Sequence, residues 1–174
     1  MEIRALRPSD ARSLFQSGDE AIDRFFHRYA GQNQFRHYLG VTYVAVDSGR
    51  ILGFVTVAPR HLDIDDLPER ARKKLPRYPV PVLGLARLAV DKSAQSAGIG
   101  AQLLRFVNKL AAKMADELGC AGVVVDAKPG AVKFYAKYGF MPFEVLEGQS
   151  AARPRPTAMW LPIQEIKVAS ESGV

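Results

Sequence analysis

The chain has one cysteine, Cys120, among 174 residues. A single thiol excludes an intrachain disulfide and a thiolate metal cluster. Its place at the start of an apolar run marks it as a core thiol rather than a reactive one. The three histidines, His27, His37 and His61, lack metal-ligand spacing, so they read as surface residues and no metal site is expected. No apolar run approaches the ~20 residues needed to cross a bilayer. Met1-Glu2-Ile3-Arg4 lacks the apolar segment of a secretory signal. The expectation is a cytoplasmic protein without membrane contact. No segment repeats, and no linker interrupts the pattern.

What is present describes a globular chain with a substantial core. Apolar residues make up 48% and charged residues 24%, and the net charge is +6. The length suits one domain, expected over 1–163, with a polar C-terminal tail over 164–174. A basic balance favours anionic partners such as phosphates, nucleic acid or acidic proteins, although solubility alone explains it equally well.

Strands and helices alternate. Ile3 to Leu6 reads as a first strand, and Pro8-Ser9-Asp10 starts a short helix over Ala11 to Phe15. Asp19 caps a longer helix whose apolar face is Ile22, Phe25, Phe26 and Tyr29. Val41 to Val46 and Ile51 to Ala58 flank the turn Asp47-Ser48-Gly49-Arg50, which makes a hairpin. Val80 to Val90 is apolar almost throughout and reads as a strand buried on both faces. A helix runs from Gly98 to Leu118, with Leu103, Val107, Leu110, Met114 and Leu118 along one side and Gly119 ending it. Ala121 to Ala127 is a second buried strand. Pro129 opens a helix that Gly139 stops, and Thr157 to Leu161 is the last strand. The order predicts an α/β fold with a mixed sheet.

Between strand and long helix lies Gln95-Ser96-Ala97-Gly98-Ile99-Gly100-Ala101. Unpaired N–H groups at a helix start, the positive end of its dipole and small residues together suit a phosphate. Gly-x-Gly alone is a weak signal. A dinucleotide fingerprint needs a third glycine where Leu103 stands, and a Walker loop needs a Gly-Lys-Ser/Thr that is absent. An ordinary tight turn also fits those small residues.

Three elements together carry more. Gln95-Ser96-Ala97-Gly98-Ile99-Gly100 resembles the Q/R-x-x-G-x-G/A acyl-CoA loop of GNAT N-acetyltransferases. Leu85-Ala86-Arg87-Leu88-Ala89-Val90-Asp91 resembles that family's strand beside the coenzyme A arm. Phe134-Tyr135-Ala136-Lys137-Tyr138-Gly139-Phe140 is similar to its F-Y-x-x-x-G-F element. The resemblance covers about residues 2 to 162 and implies acetyl-CoA as cofactor. It implies contacts from Leu88, Ala89, Val90, Gln95, Ser96, Ala97, Gly98, Ile99, Gly100 and Ala101, together with Asp126, Phe134 and Lys137. Asp126 otherwise caps the next turn. The basic residue usual inside the loop is missing at Ala97, so backbone N–H groups do most of the pyrophosphate binding, with help from Lys92.

A narrower resemblance is to the GNAT toxins of bacterial toxin–antitoxin modules. It rests on Pro79-Val80-Pro81-Val82-Leu83 running into Ala86 to Asp91, and on Ser17-Gly18 followed by Ile22-Asp23-Arg24-Phe25-Phe26. Asn33, the Thr42 to Val46 strand and Met159-Trp160-Leu161 complete it. It implies acetylation of the α-amine of aminoacyl-tRNA, a homodimer and a ribbon-helix-helix antitoxin. A GNAT enzyme for a small amine or a protein N-terminus, and a non-catalytic acyl-CoA-binding module, are the alternatives.

Acetyl transfer to an amine needs a neutral amine, a stabilised oxyanion and a proton for the departing thiolate. Tyr135 is the candidate acid, projecting toward the cleft while Ala131, Phe134 and Tyr138 pack on the sheet. No carboxylate lies in Val80 to Val90, where some GNAT enzymes place a base. A lysine amine with a pKa of about 10.4 needs help losing its proton, from a water chain or a distant Glu if not from this strand. The missing base therefore fits an α-amine at about 8 better. Arg87 in an apolar strand is either paired in a structural salt bridge or aimed into the acceptor cleft. Arg70, Arg72, Lys73, Lys74 and Arg77 form either a solvated charge run or a grip on tRNA phosphates. Arg24, Arg28, Arg36 and His37 extend that surface, with Arg153 and Arg155 as weaker members.

Overall fold

The computed structural model describes residues 1–67, 69–75, 79–143 and 155–173. Its strands are β1 (Glu2–Ala5), β2 (Val41–Asp47), β3 (Arg50–Leu62), β4 (Val80–Val90), β5 (Gly122–Ala127), β6 (Met141–Pro142) and β7 (Thr157–Pro162). They form a sheet in the order β1-β2-β3-β4-β5-β7-β6. The β1–β2, β2–β3, β5–β7 and β6–β7 pairs are antiparallel. β4 and β5 are neighbours joined through helix α4 (Ile99–Glu117), the kind of crossover that parallel strands require. The sheet is mixed, as the sequence predicts.

The chain divides into two compact units, Met1–Ala58 with Leu85–Val107, and Pro59–Gly84 with Asn108–Val174. In the first unit the β2–β3 hairpin turns at Ser48 (φ 51°) and Gly49 (φ 77°), the paired positive φ of a type I′ turn. Asp19 caps helix α1 (Glu20–Arg24) by accepting from the N–H groups of Ala21 and Ile22. The helix runs on through a π turn (Phe25–Tyr29) into α2 (Ala30–Phe35). The wider turn shifts the inward face. Phe25, Phe26 and Ala30 are buried, while Tyr29, expected on that face, is 46% exposed. Phe26 stacks on Phe54 at 4.2 Å, and Phe15 meets both rings edge-on at 4.9 and 5.4 Å. Each such contact contributes about 1 kcal/mol beyond area burial.

The short helix expected over Ala11 to Phe15 does not form. Asp10 is engaged as an acceptor elsewhere: the two terminal guanidinium nitrogens of Arg4 reach it at 2.8 Å, and the Arg7 N–H donates at 2.7 Å. It is not free to cap a helix at residues 11–15, and only a turn forms, closed by Phe15 N–H on the Arg12 carbonyl. The hydrogen bond from Arg4 is the main reason the Asp10 carboxyl lies below its ordinary pKa.

α4 buries Leu103, Leu104, Val107 and Ala111. Leu118, expected on that stripe, is 85% exposed, because the chain leaves the helix there. Leu118 and Gly119 (φ 106°) both close back on the Met114 carbonyl.

In the second unit Val80, Val82, Val124 and Trp160 share a core cluster. Gly122 in β5 faces Trp160 so closely that an added Cβ would lie 2.6 Å from the indole Cζ3. Cys120 is buried and donates to the Gly122 carbonyl at 3.2 Å; burial pushes its thiol pKa up, as befits a core residue. Pro129 begins a 3₁₀ turn that leads into α5 (Val132–Lys137). Gly139 (φ 92°) stops the helix, and Phe140 N–H returns to the Tyr135 carbonyl at 3.2 Å. The segment expected as a polar tail over 164–174 is helical through Glu171. It belongs to α6 (Ile163–Glu171), which buries Ile166 and pairs Lys167 with Asp116 at 2.7 Å.

Candidate active site

The second half of β4 is open, contrary to the expectation of burial on both faces. Val82 to Leu85 are buried, but Ala86 is exposed and Arg87 and Leu88 are half-buried. The chain then turns through Asp91 and a 3₁₀ turn (Lys92–Ala94) into α4. Gln95 to Gly98 are all exposed. Ser96 (φ 70°) and Gly98 (φ 80°) are both left-handed, and nothing lies within 4 Å of where a Gly98 Cβ would stand. Ile99, by contrast, is buried and anchors the helix start. An exposed loop with successive sign changes in φ, opening a 19-residue helix, presents backbone N–H groups to an anion. Gly100 and Ala101 sit in the first turn of that helix.

Asp91 fixes the geometry beneath this loop. It is 4% exposed and accepts from the N–H groups of Gln16 and Ser93, from the Ser93 hydroxyl at 2.7 Å and from Arg50 at 3.3 Å. Burial alone would raise its pKa, but these donors outweigh burial and lower it. The Lys92 N–H donates to the Gln16 carbonyl. Gln95 has a second task beyond the ligand contact expected of it. Its side-chain amide donates to the carbonyls of Ser17 at 2.9 Å and Val90 at 3.1 Å, bracing the loop against the segment before α1. Sequence reasoning misses this brace, because nothing local signals a partner 78 residues away.

Among the described residues Arg87 makes no structural salt bridge. Its guanidinium lies over the Phe25 ring, 3.7 Å from the centroid, and desolvation lowers its pKa with no carboxylate offsetting the loss. Arg24 and Arg28 line one depression of about 450 Å³ with Lys92, His27, Gln16 and Gly18 and the carboxylates Glu20 and Asp23. His27 is not a free surface residue; its Nε2 donates to the Phe15 carbonyl at 2.7 Å. Arg36 and His37 are exposed at the end of α2.

In the second unit, α5 is rotated from the expected orientation. Tyr135 faces inward at 5% exposure, while Phe134 and Tyr138 are half-buried. The Tyr135 ring meets Phe134 at 5.1 Å and Phe140 at 5.4 Å, because the return of Phe140 closes an aromatic wall around it. Burial pushes the phenol pKa well up, so it holds its proton at neutral pH. Lys137 lies over the Tyr138 ring at 5.7 Å. Asp126 pairs with Arg60 at 3.6 Å. Arg70, Arg72, Lys73 and Lys74 are all exposed in and after α3 (Glu69–Arg72), and Lys73 pairs with Glu69 at 3.6 Å. Arg77 and Arg153 lie outside the described residues, and Arg155 is exposed.

Mixed sheet, open strand, glycine-punctuated loop and following helix together suit a phosphate-bearing ligand. Residues 39–142 match the family model of the acetyltransferase (GNAT) domain, and the chain belongs to the GNAT acetyltransferases, enzymes that draw their acyl group from acetyl-CoA. It is 32% identical over 140 residues to a tRNA-acetylating toxin of Mycobacterium tuberculosis (strain ATCC 25618 / H37Rv), a match spanning 79% of this chain and 82% of that protein. It is 26% identical over 178 residues to a probable toxin TacT of Sinorhizobium fredii (strain NBRC 101917 / NGR234), spanning 94% and 93%. Among solved structures it resembles AtaT complexed with acetyl-methionyl-tRNAfMet, with TM-score 0.84, 24% identity and coverage of 97% and 98%. It also resembles AtaTR bound with AcCoA, with TM-score 0.78, 26% identity and coverage of 97% of each chain.

Proposed function

We propose that this protein transfers the acetyl group of acetyl-CoA to the α-amine of aminoacyl-tRNA and thereby blocks translation as a toxin. The observation that carries the reading is the exposed, left-handed Ser96–Gly98 loop at the head of α4, braced by Gln95. The tRNA-acetylating relative at 32% identity supports the acceptor, as does the AtaT complex with acetyl-methionyl-tRNAfMet. The AtaT–AtaR complex supports an antitoxin partner, which in the toxins that the motifs resemble is often a ribbon-helix-helix protein. In this reading the enzyme is a cytoplasmic homodimer.

The chemistry asks little of the protein in proton removal. β4 carries no carboxylate, and an ester-linked α-amine is already substantially neutral near pH 8. Its nitrogen attacks the thioester carbonyl, the new N–C bond forms as the C–S bond breaks, and the amine proton leaves to solvent. Tyr135, held protonated by burial, gives its proton to the coenzyme A thiolate and regains one from solvent. Tyrosine-to-phenylalanine mutants of KacT and AtaT have been solved, which supports attention to a tyrosine in such proteins. Backbone N–H groups of Leu88 to Val90 hold the oxyanion, and Arg24, Arg28, Arg36 and the Arg70 to Lys74 group meet acceptor phosphates.

Labelled acetyl-CoA incubated with the protein and charged tRNA should label the aminoacyl end. Silence across all amino acids would refute the acceptor. Activity on charged tRNA should fall steeply with salt. A small-amine or protein N-terminal substrate would leave the rate flat.

A further inference from the structure

Arg87 is the only charged residue in β4, and no counter-ion meets it among the described residues. Its guanidinium comes 3.7 Å from the Phe25 ring centroid, with the strand half-buried around it. An aromatic ring on one face fixes the plane of the guanidinium and leaves its in-plane N–H fork as the interacting edge. The fold therefore bears the desolvation of a cation and receives no ion pair in return, an arrangement that makes sense when the missing anion arrives with a ligand. β4 is also the strand whose open half leads into the loop at residues 95–98.

At the reactive end of the acceptor, the α-amine must be neutral to react, and the ester and ribose hydroxyls are neutral too. The terminal nucleotide's phosphate is the one anion that every aminoacyl-tRNA carries there, whatever its amino acid, and its oxygens match a guanidinium fork bidentately. We propose that Arg87, held on Phe25, binds the phosphate of the acceptor's 3′-terminal nucleotide and so makes the enzyme prefer aminoacylated nucleotides over bare amines. This rests on the aminoacyl-tRNA reading. It goes further by assigning one residue to one group.

Two acceptors isolate the contact: 3′-aminoacyl-amino-adenosine with a free 5′-hydroxyl, and the same compound carrying a 5′-phosphate. Wild type should favour the phosphorylated acceptor in kcat/KM by about 10- to 100-fold, the range of a charge-assisted pair. Arg87→Gln should abolish that preference by slowing only the phosphorylated acceptor, and Arg87→Lys, which keeps charge but not the fork, should fall between. Acetyl-CoA affinity measured on each variant checks the fold; if the glutamine variant loses it, the lysine variant decides, and an undiminished preference there overturns the assignment. Equal wild-type rates on both compounds, or a loss shared equally by both in Arg87→Gln, also overturns it. Wild type active on charged tRNA yet indifferent to the 5′-phosphate defeats this inference alone. Wild type inert towards charged tRNA and both compounds defeats the substrate reading, and this one with it.

Discussion

The buried carboxylate of Asp91 accepts a hydrogen bond from the Gln16 N–H at 3.0 Å, tying the end of β4 to a segment 75 residues earlier. The same carboxylate orders Ser93 and so the turn into the loop at residues 95–98. Asp91→Asn should lower stability by about 2 kcal/mol at neutral pH through loss of charge-assisted hydrogen bonds. The folded pKa of Asp91 lies below its unfolded value of about 3.9. Its contribution is therefore complete above that value and is lost as pH falls through the folded pKa. Urea titrations of both proteins from about pH 7 down to about pH 2 should show the gap closing in acid; a constant gap would mean that the ionised form is not the stabilising one.

Tyr135→Phe should cut turnover by about 10²- to 10⁴-fold, the span of a lost general acid, with acetyl-CoA affinity unchanged. Undiminished turnover would remove Tyr135 from the mechanism. The same variant tests the burial of the phenol. Because the folded pKa is raised, its contribution is present below the unfolded value of about 10 and is lost as pH climbs through the folded one. Melting curves above about pH 10 should fall less steeply for the phenylalanine protein than for wild type.

Gly98→Ala separates a turn from a cradle. The added methyl meets no protein atom, so the fold should lose only about 1 to 2 kcal/mol for an alanine held at φ 80°. Acetyl-CoA affinity should drop far more, since the methyl occupies the approach to the loop. Calorimetry showing intact affinity would return residues 95–98 to the status of an ordinary turn.

Gly122→Ala should be among the most damaging single changes in the chain. Its Cβ would run into the Leu161 carbonyl oxygen and the Trp160 ring. Overpacking costs about 1 to 3 kcal/mol, and more where backbone cannot yield. A chemical-denaturation midpoint close to wild type would contradict this packing.

The succession of hairpin, strand, helix, strand, helix and strand is legible in the sequence because turn residues and apolar runs are local signals. Val80 to Val90 reads end to end as the strand that forms, and Asp19 and Gly119 mark helix ends that the structure shows. The differences have distant causes. Asp10 looks like a cap because sequence does not show that Arg4 engages it. Regular helical spacing places Tyr29 inside, and the π turn breaks that spacing. The motif around Tyr135 identifies the residue, and Gly139 signals the local return of Phe140 onto the helix end, but helical spacing turns Phe134 and Tyr138 inward where the structure buries Tyr135. The double duty of Gln95 and the ring beneath Arg87 are equally invisible, each resting on a partner far away in the chain.

The widened coil at Phe25–Tyr29 has an evolutionary corollary. A single codon lost there would restore regular winding and swing everything upstream by about a quarter turn. Phe25 would leave its place beneath the arginine, and Asp19 would cap a helix facing the wrong way. Length in this segment should therefore be more tightly policed by selection than the identity of its outward-facing residues.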